Sequence, residues 1–200
     1  MELWLADIRE LADRERECMA RLPSGRRREA ERHRLREERL LKAAAGLLLR
    51  RVLDVREDGD LRRNSHGKPS LTAGGPEFSL SHGGNYAVLA VHDGSVGVDV
   101  EPVGQSCPVI SKRFLRTEEL SWLGDDPAPE RFAVLWTRLE SALKADGRGF
   151  DMENRDFSVV ESGRPWHLHT FLWDGHVISC AAENPFEAQV TKLSGEELLK

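Results

Sequence analysis

Asp99 and Glu101 lie two residues apart in the stretch VGVDVEPVG at 96–104, among valines that read as a strand. A strand points alternate side chains to opposite faces, so both carboxylates share one face. Adjacent ionised carboxylates repel unless a positive charge stands between them. A hard divalent cation such as Mg²⁺, which takes oxygen ligands and retains several waters, would meet that need. A solvent-facing strand end accounts for an isolated D-x-E more simply, so the pair alone leaves both readings open. Trp136, Glu140 and Lys144 recur every fourth residue in ERFAVLWTRLESALKADGRG at 130–149 and line one face of a helix. An exposed Glu–Lys pair is the plain reading there, although Trp136 argues that the face is partly covered. His82 closes FSLSH at 78–82 and precedes Gly83-Gly84, a setting with the donors and the room that a phosphate needs. Lys68, in GKP at 67–69, puts another cation at a tight turn.

The elements that must position these groups can be read from periodicity. LWLADIRELA at 3–12 alternates at its start and predicts an edge strand. The spacing of Leu40, Leu41, Ala44, Leu47 and Leu48 predicts one helix over 26–53. GKPSL, EFSLSH, YAVLAVHD and VGVDVE follow as short strands at hairpin-like spacing. Beyond Pro102 the pattern predicts helices over 111–124 and 130–149, the second stopped by its glycines. FSVVESG, WHLHTFLW and HVISCAAEN then read as three further strands. The order predicts an α+β fold of two comparable halves, 1–103 and 104–200.

Composition narrows the function. The 200 residues carry a net charge of −5, with 40% hydrophobic and 32% charged residues. No apolar run approaches the ~18 residues of a membrane span, and the first residues lack a secretory pattern. Cys18, Cys107 and Cys180 are too scattered for a disulfide framework or zinc cluster, which fits a reduced cytoplasmic setting. Between Arg21 and Arg51, eleven Lys/Arg stand against four Asp/Glu. A salt-bridged surface helix explains that stretch plainly, and a bound anion would explain it functionally. Nucleic acid is disfavoured by the overall negative charge and the lack of stacking aromatics.

Taken in order, GKPSL at 67–71, FSLSHGG at 78–84, VGVDVE at 96–101, KRFLRTEEL at 112–120 and WTRLESALKADGRGF at 136–150 resemble the phosphopantetheinyl transferases of the larger, surfactin-synthetase-activating type. VTKLSGEELL at 190–199 is similar to that family's C-terminal strand and extension. The resemblance implies two similar α/β halves related by a pseudo-twofold axis, with the active site in the cleft between them. It implies transfer of the 4′-phosphopantetheine arm of coenzyme A to a serine of an acyl or peptidyl carrier protein, releasing adenosine 3′,5′-bisphosphate. Asp99, Glu101 and Glu140 would bind Mg²⁺, with Mn²⁺ as the alternative ion. Glu140 would be the general base. Ser81, His82 and Lys144 would meet the phosphates, and Lys144 could protonate the leaving group. Lys68 and Pro69 would contact the nucleotide. The 3′-phosphate would fall to basic residues upstream of Leu48-Leu49-Arg50, with Arg39 and Lys42 ranked ahead of Arg28 and Arg32. One departure stands out. The family commonly has Lys directly before the metal-binding Glu, where this chain has Leu139, so that phosphate contact is either lost or taken by Arg138. A monomer is expected, with no membrane or nucleic-acid partner. The competing reading is a non-catalytic module that binds coenzyme A or a carrier protein.

Overall fold

The computed structural model describes residues 1–104, 114–149 and 155–200. The chain begins with strand β1 (Glu2–Asp7), a short 3₁₀ turn at Ile8–Arg14, and helices α1 (Glu15–Ala20), α2 (Ser24–Glu31) and α3 (Arg36–Leu53). Strands β2 (Leu61–Arg63), β3 (Pro69–Leu71), β4 (Glu77–Gly83), β5 (Tyr86–His92) and β6 (Val96–Pro102) follow. Helices α4 (Thr117–Leu123) and α5 (Pro129–Asp146) precede β7 (His167–Trp173), β8 (His176–Ala182), β9 (Gln189–Leu193) and a final turn of helix, α6 (Gly195–Leu198).

The fold is mixed α+β. One sheet has the order β4-β5-β1-β9, a second β6-β8-β7, and β2-β3 form a small hairpin. An expected boundary at residue 103 does not separate the two larger sheets. β6 pairs antiparallel with β8, and β9 returns to pair in parallel with β1. That return also makes β1 interior rather than the predicted edge strand, since β5 flanks its other side. Leu3 and Leu5 are accordingly fully buried.

Period-two alternation divides the core into layers. Leu3, Leu5, Tyr86, Val88, Ala90, Val96, Val98, Val100, Ile178 and Cys180 fill the space between the two sheets. On the outer side of the first sheet, Ala6, Phe78, Leu89 and Val91 pack under α3 through Leu40, Ala44, Leu47 and Leu48. On the outer side of the second, Ala181 packs with Leu135, Leu139 and Leu143 of α5. Apolar burial of this kind drives the assembly of the layers.

Two expected elements change form. The single helix over 26–53 is broken between α2 and α3, where Leu35 is extended and largely exposed. Arg39 stabilises the break by donating to the carbonyls of His33 (3.3 Å) and Arg34 (2.9 Å), groups that a continuous helix would have bonded internally. FSVVESG at 157–163 forms no strand. Phe157 and Val159 are buried as a strand would require, but side chains take the backbone groups. The Val159 N–H donates to Glu119 (3.1 Å) and the Val160 carbonyl accepts from Arg138 (2.8 Å). The helix expected over 111–124 is seen as α4, and residues 111–113, like Cys107 and Phe150, lie outside the described residues. Among the described residues, no helix is long and apolar enough to cross a membrane.

Candidate active site

Strand β6 sorts its residues between two duties. Its valines enter the core between the sheets, while Gly97, Asp99 and Glu101 share the opposite face. A Cβ at Gly97 would overlap the Ser141 carbonyl and stand 2.6 Å from the Ala145 nitrogen. Glycine therefore lets α5 reach backbone contact with β6, and α5 carries Glu140 and Lys144 to the acids. Lys144 Nζ donates to Asp99 Oδ1 (2.6 Å), Ser81 Oγ (3.0 Å) and the Val98 carbonyl (3.1 Å). Ser81 Oγ also donates to Asp99 Oδ1 at 2.7 Å. Ser79, two residues earlier on β4, accepts from the Val98 N–H at 3.1 Å and stitches the two sheets together.

A cavity of about 530 Å³ opens over this cluster. Of the residues singled out in the sequence, Lys42, Lys68, Pro69, Ser81, His82, Asp99, Glu101, Glu140 and Lys144 all line it. Burial and the Asp99 charge push the Glu101 carboxyl up to about 7, against the pull of Lys144. Glu140 is pushed up to about 7 by the same causes, with Glu101 adding to them. His82 is held below the usual imidazole value by burial and by the charges of Lys42 and Lys144. Its ring thus lies in the fields of both lysines. Burial also lowers Lys68, whose ammonium donates to the carbonyls of Val96 (3.2 Å) and Ala145 (3.1 Å). Lys68 thereby ties the β2–β3 turn to the end of α5 as well as lining the cavity.

The basic segment divides differently from expectation. Arg39 does not line this cavity, because its guanidinium is paired with Glu15 at 2.6 Å and held at the α2–α3 break. Arg28 donates to Ser24 Oγ (3.1 Å), and neither it nor Arg32 lines the cavity. Lys42 does, beside Glu29 at 3.4 Å. Arg26, Arg63 and His66 also line it and were missed in the sequence reading. Burial lowers Arg26, with Glu29 opposing and Arg63 adding to the effect. The available signal was Gly46, on the otherwise bulky face of α3. A Cβ there would lie 3.6 Å from Arg26 Cδ, so the glycine makes room for the arginine stem.

Position 139 also differs from the phosphate-contact expectation. Leu139 is fully buried in the core under α5. Arg138 does not replace a lysine there, since it donates to Thr170 Oγ1 (3.0 Å) and to the Val160 carbonyl (2.8 Å) rather than lining the cavity. Successive helix residues point about 100° apart, and Glu140 faces the cavity where its two predecessors do not.

The three carboxylates suit a hard cation in chemistry. Their donors are all oxygens, and Asp99 Oδ2 is buried with no hydrogen-bond partner, an expensive state for a carboxylate oxygen. They are not preassembled, however. Among the described residues, no three His, Cys, Asp or Glu side chains are already arranged to hold a metal ion.

The 4′-phosphopantetheinyl transferase superfamily model matches residues 95–184, the span from just before β6 to just beyond β8. The 4′-phosphopantetheinyl transferase Sfp of Bacillus subtilis (strain 168) is 30% identical over 152 residues, covering 67% of this chain and 68% of that protein. The chain belongs to the 4′-phosphopantetheinyl transferase superfamily. It is a transferase of the Sfp-like type. The 4′-phosphopantetheinyl transferase gsp of Aneurinibacillus migulanus is 27% identical over 165 residues, covering 74% of this chain and 69% of the relative. In this transferase the family match includes Asp99, Glu101, Glu140 and Lys144, while Lys68 and His82 lie upstream of it.

Proposed function

We propose that this transferase moves the 4′-phosphopantetheine arm of coenzyme A onto a serine of an apo acyl or peptidyl carrier protein, with release of adenosine 3′,5′-bisphosphate. One observation carries the reading beyond family membership. A single cavity combines five basic side chains (Arg26, Lys42, Arg63, His66 and Lys68) with the Asp99–Glu101–Glu140 acidic cluster, and His82 and Lys144 complete its lining. A polyanionic substrate and a proton-abstracting centre would both find their chemistry there.

In this reading the basic side chains hold the nucleotide and its phosphates, and Pro69 lies beside the nucleotide. His82 and Lys144 meet the diphosphate, where Lys144 offsets charge developing on the leaving oxygen. Serine is a weak nucleophile at its own pKa and needs a positioned base. Glu140 takes that role because its burial keeps its basicity near neutral pH. Asp99, Glu101 and Glu140 would hold Mg²⁺ or Mn²⁺, which would supply charge neutralisation at the phosphates when bound. The halves related by a pseudo-twofold axis, action as a cytoplasmic monomer, and independence of membranes and nucleic acids belong to the same proposal. The non-catalytic alternative drew on Leu139. Its burial assigns that residue to packing.

The test is transfer of a labelled coenzyme A arm to a panel of apo carriers with Mg²⁺ present. A mass gain on the carrier serine, lost on chelation, is expected. Tight coenzyme A binding with no transfer to any carrier would overturn the proposal in favour of the binding module.

A further inference from the structure

His176 starts β8 and is 4% exposed, yet it belongs to none of the groups lining the cavity. It follows the Asp174-Gly175 turn of the β7–β8 hairpin and reaches the other hairpin turn, Gly84-Asn85, which links β4 to β5. Nδ1 lies 2.8 Å from the Asp174 carbonyl, an arrangement that places the ring proton on Nδ1. Nε2 is then the acceptor for the Asn85 N–H at 3.3 Å. The other side of the Asn85 peptide is held too, because its carbonyl accepts from the Ile8 N–H at 2.9 Å.

The fit around the ring is close. Gly84 has φ +54 at the first central position of its turn, where a II′ hairpin requires glycine. A Cβ there would overlap His176 Nε2. A Cβ at Gly83 would overlap the Val100 carbonyl of β6. Tyr86 meets the imidazole edge-on, with centroids 5.0 Å apart. Its hydroxyl donates to Asp174 Oδ2 (2.9 Å), which also accepts from Arg9 (2.6 Å). One imidazole therefore bolts a turn of the first sheet to a turn of the second, and His82 is the side chain just before the bolted turn.

We propose that His176 is a positioning residue for His82. It fixes the Gly83–Asn85 backbone against β6 and β8, and so fixes where the His82 ring stands relative to Lys144 and Asp99. The inference rests on the reading of His82 as a phosphate contact only for its functional consequence. The structural consequence stands apart from that reading.

The experiment follows the His82 ring signals by NMR in the substrate-free protein, together with coenzyme A affinity by calorimetry. His176→Ala should move and broaden the His82 ring resonances and weaken coenzyme A binding about tenfold, the scale of one lost hydrogen bond. His176→Gln keeps an acceptor for the Asn85 N–H and should restore most of both. In an His82→Ala background, His176→Ala should cost no further affinity, because its effect passes through His82. If the alanine variant does not fold, His176→Phe keeps the contact with Tyr86 while removing the acceptor, and serves in its place. Unchanged His82 signals in a folded variant lacking the acceptor would overturn the proposal, as would equal affinity losses with and without His82. A wild-type protein that binds no coenzyme A would instead refute the substrate reading, and the His82 signals would still decide the positioning role.

Discussion

Two buried carboxylates in this transferase each face a cation on the same side of the second sheet, and they are finished differently. Glu119 is fully buried and bonded to Arg155 through both carboxylate oxygens. It also accepts the backbone N–H groups of Val159 and Arg116. Arg155 in turn donates to the carbonyls of Phe157 and Phe114. Asp99 is almost as buried, but Lys144 and Ser81 both converge on Oδ1 and leave Oδ2 bare. Around Glu119 the carboxylate's lone pairs are used to hold a loop in place. Around Asp99 two further carboxylates add negative charge for which the single Lys144 does not compensate. A saturated carboxylate reads as architecture, and an undersaturated one beside a cavity reads as a place for something to bind.

This contrast can be broken most sharply through activity. Glu140→Gln and Asp99→Ala should each lower transfer by about 10³-fold or more, the scale of losing a positioned base or a metal ligand. Both proteins should stay folded by circular dichroism, and residual transfer within tenfold of wild type would contradict the assignment. The saturated pair should behave in the opposite way. Glu119→Ala strands a buried guanidinium and should cost about 3–5 kcal/mol of stability. Replacing Glu119 and Arg155 together by Leu and Met should recover much of that in urea denaturation, with transfer per folded molecule unchanged.

A smaller effect concerns pH. Glu101 and Glu140 are raised from 4.5 to about 7, so the folded state binds more protons than the unfolded state in that window. Their contribution to stability is therefore present below about 4.5 and is lost as pH rises through about 7. In metal-free protein, Glu140→Gln should raise Tm above wild type at pH 8 and leave it near wild type at pH 4. The expected difference is about 3 °C, the scale of 1 kcal/mol in a chain of this size. Added Mg²⁺ should shrink it by stabilising only the wild type. A Glu140→Gln protein that gains nothing at pH 8 would show that the acidic cluster is not strained. The smallest effect separates two arginines of the basic segment. Arg26→Ala should weaken coenzyme A binding about tenfold, and Arg39→Ala should leave that affinity unchanged in the same calorimetric titration.

Local pattern carried much of this into view before any coordinates. Alternation placed Asp99 and Glu101 on one face, and helical spacing put Glu140 and Lys144 together. The family resemblance joined the two sets, and all four line one cavity. What stayed hidden depends on contacts between distant residues. Arg39 and Arg26 look interchangeable in a repetitive basic run, and only the α2–α3 break and its pairing with Glu15 turn Arg39 away. FSVVESG has the composition of a strand, yet Glu119 and Arg138, remote in sequence, claim its backbone groups. His176 looks like any strand histidine until the fold brings two hairpin turns together. Register also decides the fate of β9, whose partner lies at the opposite end of the chain.

That last pairing has a consequence for biosynthesis. β1 is among the first segments to leave the ribosome, but one of its edges has no neighbour until residues 189–193 have been made. Until then it exposes unpaired backbone flanking Leu3, Trp4 and Leu5, the kind of edge that recruits other chains. The first sheet therefore cannot be completed during translation, however early its other strands emerge. Nascent chains stalled before residue 189 should be far more prone to co-aggregate, or to engage chaperones, than chains released a few residues later.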